Sequence, residues 1–427
     1  MLIKRRIRLL VLGIALQLAA QAQLITAVPA KGSPDGFSNE RLQYIDHVIQ
    51  DYVHRKWIKG ATALIVHKGV IVYNKAFGYS NAQTRVPLRT DAIFRIASQT
   101  KAITSVAVMM LFEEGKFLLD DPISRFIPSF ADPKVLDRFN AADSSYTTVP
   151  AKRGITIRDL LTHTSGLDYA QIGSPAMKAI YAKAGIPAGF VTHPQKLADA
   201  INKLGTLPLV HQPGERFTYG LNTDVLGRLV EIVSGMSLDE FFRRRIFEPL
   251  NMKDTYFHLP DAKRPRLVSV DTEDKGTKAL IPWSDTTFPG ITVDYPVNNN
   301  GYYSGGAGLV STTADYAAFL QMIVNKGVFK GKRFLSRHSV EMMTQNQIGD
   351  LSLGNNKFGL GFEITTDKGF LKLGQSAGSF AWGGFFGTTY WGDPREEVVA
   401  LLFVQQWPFS HGELGDKFKA LVYQALK

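Results

Sequence analysis

Phe94-Arg95-Ile96-Ala97-Ser98-Gln99-Thr100-Lys101 runs directly into a helical pattern, Ala102 to Glu114. Ser98 and Lys101 stand three residues apart at a helix start, so their side chains share one face about one turn apart. A serine hydroxyl is a poor nucleophile until a neighbour takes its proton, and a lysine partly removed from water can do that or hold its charge beside it. The helix N-terminus adds a positive dipole and a free N–H at the same point. S-x-x-K alone is a short pattern whose ordinary meaning is an N-cap serine and a solvated lysine, so the surrounding chain has to decide.

Upstream, Leu42, Ile45, Ile49 and Val53 recur at helical spacing from Asn39 to Trp57, with Ser38 placed to cap them. Ala63–His67 and Val70–Tyr73 follow as β-rich runs around Lys68-Gly69, a hairpin signal. Residues 99–345 read as helical segments broken by Pro/Gly loops, with an irregular polar stretch from about 265 to 306. Strand character returns at Gly359–Thr365, Phe370–Gly374, Gly384–Trp391 and Val398–Gln405, before a closing helix, Leu414–Lys427. The expected fold is therefore α/β: an antiparallel sheet formed from N- and C-terminal strands, flanked by helices, with a mostly α-helical inserted domain. The α/β part takes about 38–97 and 345–427, the helical part about 98–344, and a cleft between them is the expected site.

The 427 residues are 45% hydrophobic and 20% charged, as in a packed globular protein. Zero cysteines exclude a disulfide framework, a thiol nucleophile and a thiolate metal site. The nine histidines are scattered with no H-E-x-x-H, and no P-loop or strand-linked G-x-G-x-x-G is present, so neither a metal nor any other cofactor is expected. Four of the net +11 charges, Lys4, Arg5, Arg6 and Arg8, precede the apolar run Leu9–Ala20 and the small-x-small Ala20-Gln21-Ala22. That order reads as a secretory signal peptide over 1–22, followed by a flexible lead-in over 23–37; the alternative is an uncleaved anchor. Export to the periplasm or medium is expected, with no membrane span after cleavage. The basic cluster Arg243-Arg244-Arg245 reads as a solvated helix face, so no nucleic-acid partner is expected.

Two further segments carry chemistry. Tyr219, in the Gly-bounded Pro213–Asn222 turn before a helix over Asp224–Ser234, becomes a general base if a lysine ammonium lowers its phenol; otherwise it caps a turn. Ala381-Trp382-Gly383-Gly384-Phe385 has strand-like neighbours, and its paired glycines let a ligand approach backbone N–H donors. His163 reads as structural. Phe380, Trp382, Phe385, Phe386, Tyr390 and Trp391 divide between core and acyl pocket, and Tyr302 and Tyr303 between wall and lid.

These segments, together with Leu160–Leu167 (LLTHTSGL), Gly305–Leu309 before Thr312-x-x-Asp315, and Ile246–Met252, resemble the serine β-lactamase and penicillin-binding-protein superfamily, in particular class C-like serine hydrolases and family VIII carboxylesterases. The resemblance covers roughly 40–420 and implies a β-lactamase/transpeptidase-like domain over 38–425. It implies Ser98 as the acylated nucleophile, Lys101 as its partner, Tyr219 as general base, and the backbone N–H groups of Ser98 and Phe385 as oxyanion hole, with Trp382, Gly383, Gly384, Leu221 and Asn222 contacting substrate. Tyr219-Gly220-Leu221 stands where class C enzymes carry Tyr-x-Asn, and Trp382-Gly383-Gly384 where they carry Lys-Thr-Gly. The missing lysine removes a partner for a substrate carboxylate, although Lys372 on the neighbouring segment is a candidate replacement. Small neutral esters or amides are thus the expected substrates, with a β-lactamase or D-Ala-D-Ala carboxypeptidase as the alternative and a non-turning-over penicillin sensor as the second. Gly374-Gln375-Ser376-Ala377-Gly378 matches the nucleophile elbow of a different hydrolase class, but strand composition rather than a helix follows it, which argues for a turn.

Overall fold

Every residue of Gly60–His67 (β1) is buried, so the stretch shows no alternation of buried and exposed positions. The computed structural model, which describes residues 36–427 except 192, 285, 289, 299 and 300, shows why. β1 lies inside an eight-stranded antiparallel sheet with β2 (Val70–Asn81), β3 (Val86–Pro87), β4 (Lys357–Phe358), β5 (Glu363–Ile364), β6 (Phe380–Gly384), β7 (Thr388–Asp393) and β8 (Val398–Phe403), in the order β4-β5-β6-β7-β8-β1-β2-β3. β1 pairs with β8 from Thr62↔Phe403 to His67↔Val398, so the two ends of the chain meet at the centre of the sheet.

Both faces are covered. Ala61, Ala63 and Ile65 of β1, with Ala400 and Leu402 of β8, pack against α1 (Asn39–His54) and α6 (Glu413–Ala425) through Ile45, Ile49, Leu414, Phe418 and Val422. The alternate positions Leu64, Val66, Leu401 and Phe403 face α2 (Thr100–Glu113) and α4 (Thr313–Val324) through Ile103, Val106, Tyr316 and Phe319. Period-two alternation thus survives in which helices each side chain meets, although polarity does not reveal it. Ser38 caps α1 as expected and donates its N–H to Ala425 O at 2.8 Å, tying α1 to the end of α6. α3 (Asn222–Ser234) packs on α2 and carries the site into the sheet-facing core.

Four local expectations change. Phe370–Gly374 belongs not to a strand but to helix α5 (Asp367–Leu373): Thr366 caps it, Asp367 and Lys372 complement its dipole, and Gly374 ends it at φ +76°. Those end signals outweigh a short apolar run. Gly384–Trp391 is not one strand but the Phe385–Gly387 turn of a hairpin between β6 and β7, with Gly387 at φ +85°. Gly359–Thr365 is broken the same way around Gly361 at φ +94°, leaving the two-residue strands β4 and β5. Within the helical part, Lys134–Phe139 and Tyr146–Pro150 form an exposed hairpin that no reading anticipated. The 1–22 signal and most of the 23–37 lead-in lie outside the described residues; among those described, no helix is long and apolar enough to cross a membrane.

Candidate active site

Ser98 sits in a single 3₁₀ turn, Ala97–Gln99, that leads into α2. Ala97, fully buried, is held at φ +42°, a conformation an alanine adopts only under constraint, at a cost of roughly 1–3 kcal/mol. The constraint is visible on both sides: Ile96 N–H donates to Leu309 O, Leu309 N–H donates to Thr100 Oγ1 at 3.2 Å, and Tyr316 Oη donates to Gln99 O at 2.7 Å. Tertiary bonds from the Gly305–Leu309 strand approach and from α4 therefore fix the turn that presents Ser98.

Lys101, one turn later and buried, sends its Nζ to three acceptors: Ser98 Oγ at 3.3 Å, Tyr169 Oη at 2.8 Å and Gly306 O at 2.7 Å. As an ammonium it has no lone pair left for Ser98's proton; as a neutral amine it keeps two N–H bonds and accepts from Ser98. Tyr219 does not meet Lys101 through its phenol oxygen as the sequence suggested. The ammonium stands over its ring, 4.7 Å from the centroid, and the Tyr219 oxygen accepts from Trp382 Nε1 at 3.3 Å. Tyr169 links the two: burial, then the neighbouring Tyr219 phenol with which it is hydrogen-bonded, pushes the Tyr169 phenol well above its ordinary value.

The far wall is the end of β6. An ideal Cβ on Gly384 would fall 2.5 Å from Ile96 O and 2.2 Å from Thr388 Oγ1, so only glycine lets this strand end lie against the backbone leading into Ser98. Phe385 follows, its ring stacked 4.7 Å over Trp407. Ser98 and Phe385, with Tyr169, Gln171, Ile172, Ala188, Phe190, Ile291 and Ala307, line a cavity of about 20 Å³ that carries no charged side chain.

The structure thus brings Ser98, Lys101, Tyr219, Trp382, Gly383, Gly384 and Phe385 together. It does not bring Leu221 and Asn222. Leu221 is buried in the core at the start of α3, and Asn222 spends its amide on Ser165 Oγ, which donates to it at 2.5 Å, and on His163 Nδ1 at 2.9 Å. Their reading as substrate contacts is corrected on that ground. Lys372 is likewise elsewhere, on α5, lining a separate polar cavity with Asn356, Gln375, Asp416 and Lys419. Ser376 is buried in the turn between α5 and β6, followed by a strand. His163, at φ +56° and buried, is structural: it accepts from the Asn222 amide, and burial followed by the Lys101 charge holds it far below its usual range, hence neutral. Tyr302 is an interior side chain and not a lid, and Tyr303 is half-buried against Phe257. The Thr312 cap forms, but Asp315 does not answer it; its carboxylate accepts instead from Asp254 N–H and Thr255 Oγ1.

Tyr169 and Asp224 were missed. Tyr169 stands two residues beyond the LLTHTSGL segment, and nothing in its spacing to Ser98 or Tyr219 marks it. Among the described residues no group of three or more His, Asp or Glu is placed to hold a metal.

Residues 45–424 match the Beta-lactamase family profile. The chain belongs to that family. Protein Rv1367c of Mycobacterium tuberculosis (strain ATCC 25618 / H37Rv) is 34% identical over 82% of this chain and 86% of its own length. Esterase EstB of Burkholderia gladioli is 28% identical over 84% and 88%. Among solved structures, EstCE1, described as a hydrolase with promiscuous acyltransferase activity, superimposes with a TM-score of 0.78 at 25% identity, covering 90% of this chain and 98% of its own. This member of the Beta-lactamase family is accordingly a serine hydrolase with the β-lactamase/transpeptidase-like fold.

Proposed function

We propose that this chain is exported and hydrolyses small neutral esters or amides through an acyl-enzyme on Ser98. The observation that carries the reading is the uncharged cavity beside Ser98, walled by Ile172, Phe190, Ile291 and Phe385; the resemblance adds that Trp382 occupies the sequence position of a carboxylate-binding lysine. In the first half-reaction Ser98 Oγ bonds to the acyl carbon while its proton passes to Lys101 Nζ, its hydrogen-bond partner at 3.3 Å acting as the amine base, with Tyr219 coupled to that base through Tyr169. The carbonyl oxygen gains the electron pair and is held by the N–H groups of Ser98 and Phe385. The tetrahedral centre then collapses, the C–O bond to the alcohol breaks, and the same relay returns the proton to the leaving oxygen. Water repeats the sequence and frees the acid.

A cavity of about 20 Å³ has space for little more than one water, so an acetyl group is favoured over longer acyl chains unless the half-exposed Ile172 moves. The test compares kcat/KM for p-nitrophenyl acetate, butyrate and octanoate with that for nitrocefin. A substrate carboxylate desolvated here loses a charge-assisted contact worth about 1.5–3 kcal/mol, so acetate or butyrate should exceed nitrocefin by at least about tenfold. Faster nitrocefin hydrolysis would replace this reading with the β-lactamase one. Export is tested separately by N-terminal sequencing of the protein recovered from the periplasm or medium.

A further inference from the structure

Behind Lys101 lies a carboxylate outside the proton path from Ser98. Asp224, in the first turn of α3, is buried. Its Oδ1 accepts from Ser304 Oγ at 2.6 Å and from Gly306 N–H at 3.3 Å, while its Oδ2 is buried with no hydrogen-bond partner. An ideal Cβ on Gly306 would lie 2.4 Å from that Oδ2 and 3.5 Å from Lys101 Nζ, so the unpartnered oxygen and the lysine flank one glycine. The carbonyl of the same glycine is a Lys101 acceptor at 2.7 Å, and the preceding carbonyl, Gly305 O, accepts from Thr104 Oγ1 at 2.6 Å. A buried carboxylate oxygen with no donor is strongly disfavoured unless a positive charge faces it.

We infer that Asp224 is a positioning residue for Lys101, holding the Ser304–Gly306 strap so that Gly306 O meets Nζ and supplying the negative charge that keeps the lysine in place. The inference rests on the reading of Ser98 and Lys101 as the acyl-transfer centre. Of the other titratable groups around the pair, burial raises Tyr169 and Tyr302 and lowers His163, so all three are neutral at working pH; Tyr219 presents its ring face, and Glu231 lies further along α3 on the Tyr302 side. The geometry explains why position 306 is glycine: any side chain would press between the carboxylate and the amine. Burial pushes the Asp224 carboxyl up, and the Ser304 hydrogen bond and then the Lys101 charge pull it back.

Asp224→Asn keeps an acceptor for Ser304 and Gly306 but removes the charge. It should lower the high-pH plateau of kcat for p-nitrophenyl acetate at least about tenfold, because Nζ is no longer held in line with Ser98, while the limb of the pH–rate profile governed by Lys101 moves toward lower pH by about one unit, because an amine without its counter-charge gives up its proton more readily. Ser304→Ala keeps the charge and cuts the strap; kcat should fall about three- to tenfold with KM little changed and the limb displaced less. A folded Asp224→Asn enzyme whose limb stays in place overturns the inference. Should that variant not fold, a Ser304→Ala enzyme with wild-type kcat overturns it equally. Failure of the underlying reading looks different: wild-type protein would then take up no fluorophosphonate at Ser98.

Discussion

Gly384→Ala tests the wall of the site with a single methyl group. Its Cβ would lie 2.5 Å from Ile96 O, roughly 0.9 Å inside ordinary contact, and the obstacle is backbone that cannot rotate away. Thr388 Oγ1, at 2.2 Å, can change rotamer, so the Ile96 carbonyl decides the outcome. Either the β6 end retreats by about that amount, taking the Phe385 N–H with it, or the turn holding Ala97 and Ser98 yields. A displacement near 1 Å between a donor and the charge it must meet costs about a hundredfold in rate, and loss of one oxyanion donor about 10²–10³. Gly383→Ala is the internal control: its Cβ would meet only Thr388 O, at 3.2 Å, a gap that a few tenths of an ångström of local adjustment opens. The assay is kcat/KM on p-nitrophenyl acetate alongside thermal melting. The expected result is a loss of about a hundredfold or more for Gly384→Ala and under about fivefold for Gly383→Ala, with both proteins folded. A Gly384→Ala enzyme within about threefold of wild type would refute the claim that the Gly384–Phe385 backbone is built against the Ser98 turn.

Other substitutions separate chemistry from scaffold. Ser98→Ala should abolish both ester turnover and fluorophosphonate labelling, whereas Ser376→Ala should retain labelling, read by intact-mass spectrometry; a label on Ser376 would contradict the site. Trp382→Phe removes the indole donor to Tyr219 and should cost about three- to tenfold in kcat, the worth of one hydrogen bond, with little change in melting temperature. Phe418→Ala, on the face remote from Ser98, should lower stability by about 3–5 kcal/mol in urea titration while leaving kcat within about twofold at 25 °C. Burial raises Asp315 to about 6. A carboxyl raised on folding contributes stability below its unfolded value that is lost as pH rises through about 6, so Asp315→Asn should flatten the wild-type decline in melting temperature between pH 4 and pH 7; an unchanged decline would exclude this group as its source.

What the sequence disclosed follows from where the relevant spacing lies. Ser98 and Lys101 are legible because the helical repeat alone puts positions three apart on one face, and Lys68-Gly69 because both residues adopt positive φ in the turn it marks. The buried strands β1 and β8 were recognisable as strands, though with both faces covered their facing had to come from the structure. The helix over Asp367–Leu373 was misread because Phe370, Leu371 and Leu373 suggested a strand; Phe370 and Leu371 are in fact exposed, so burial never drove that segment. Tyr169 and Asp224 reach Lys101 from 68 and 123 positions away in the chain, a separation at which no local period survives. Asn222 was mistaken for a substrate contact because it neighbours the family position, whereas its side chain turns inward to His163 and Ser165.

The pairing of β1 with β8 joins residues 62–67 to residues 398–403 across more than three hundred positions. During synthesis the first hairpin, every residue of β1 included, emerges long before the strand that covers its open edge exists. The sheet centre therefore cannot close until residues 398–403 have left the ribosome, which makes folding slow by contact order and leaves the β1 edge unpaired meanwhile. The same geometry puts residues 36–38 beside residues 425–427, Ser38 N–H on Ala425 O and Lys427 N–H on Gly36 O. A circular permutant that links residue 427 to residue 36 and opens the exposed 140–145 turn of the 134–150 hairpin would make β8 and β1 neighbours in translation order, and should fold faster to the same active site.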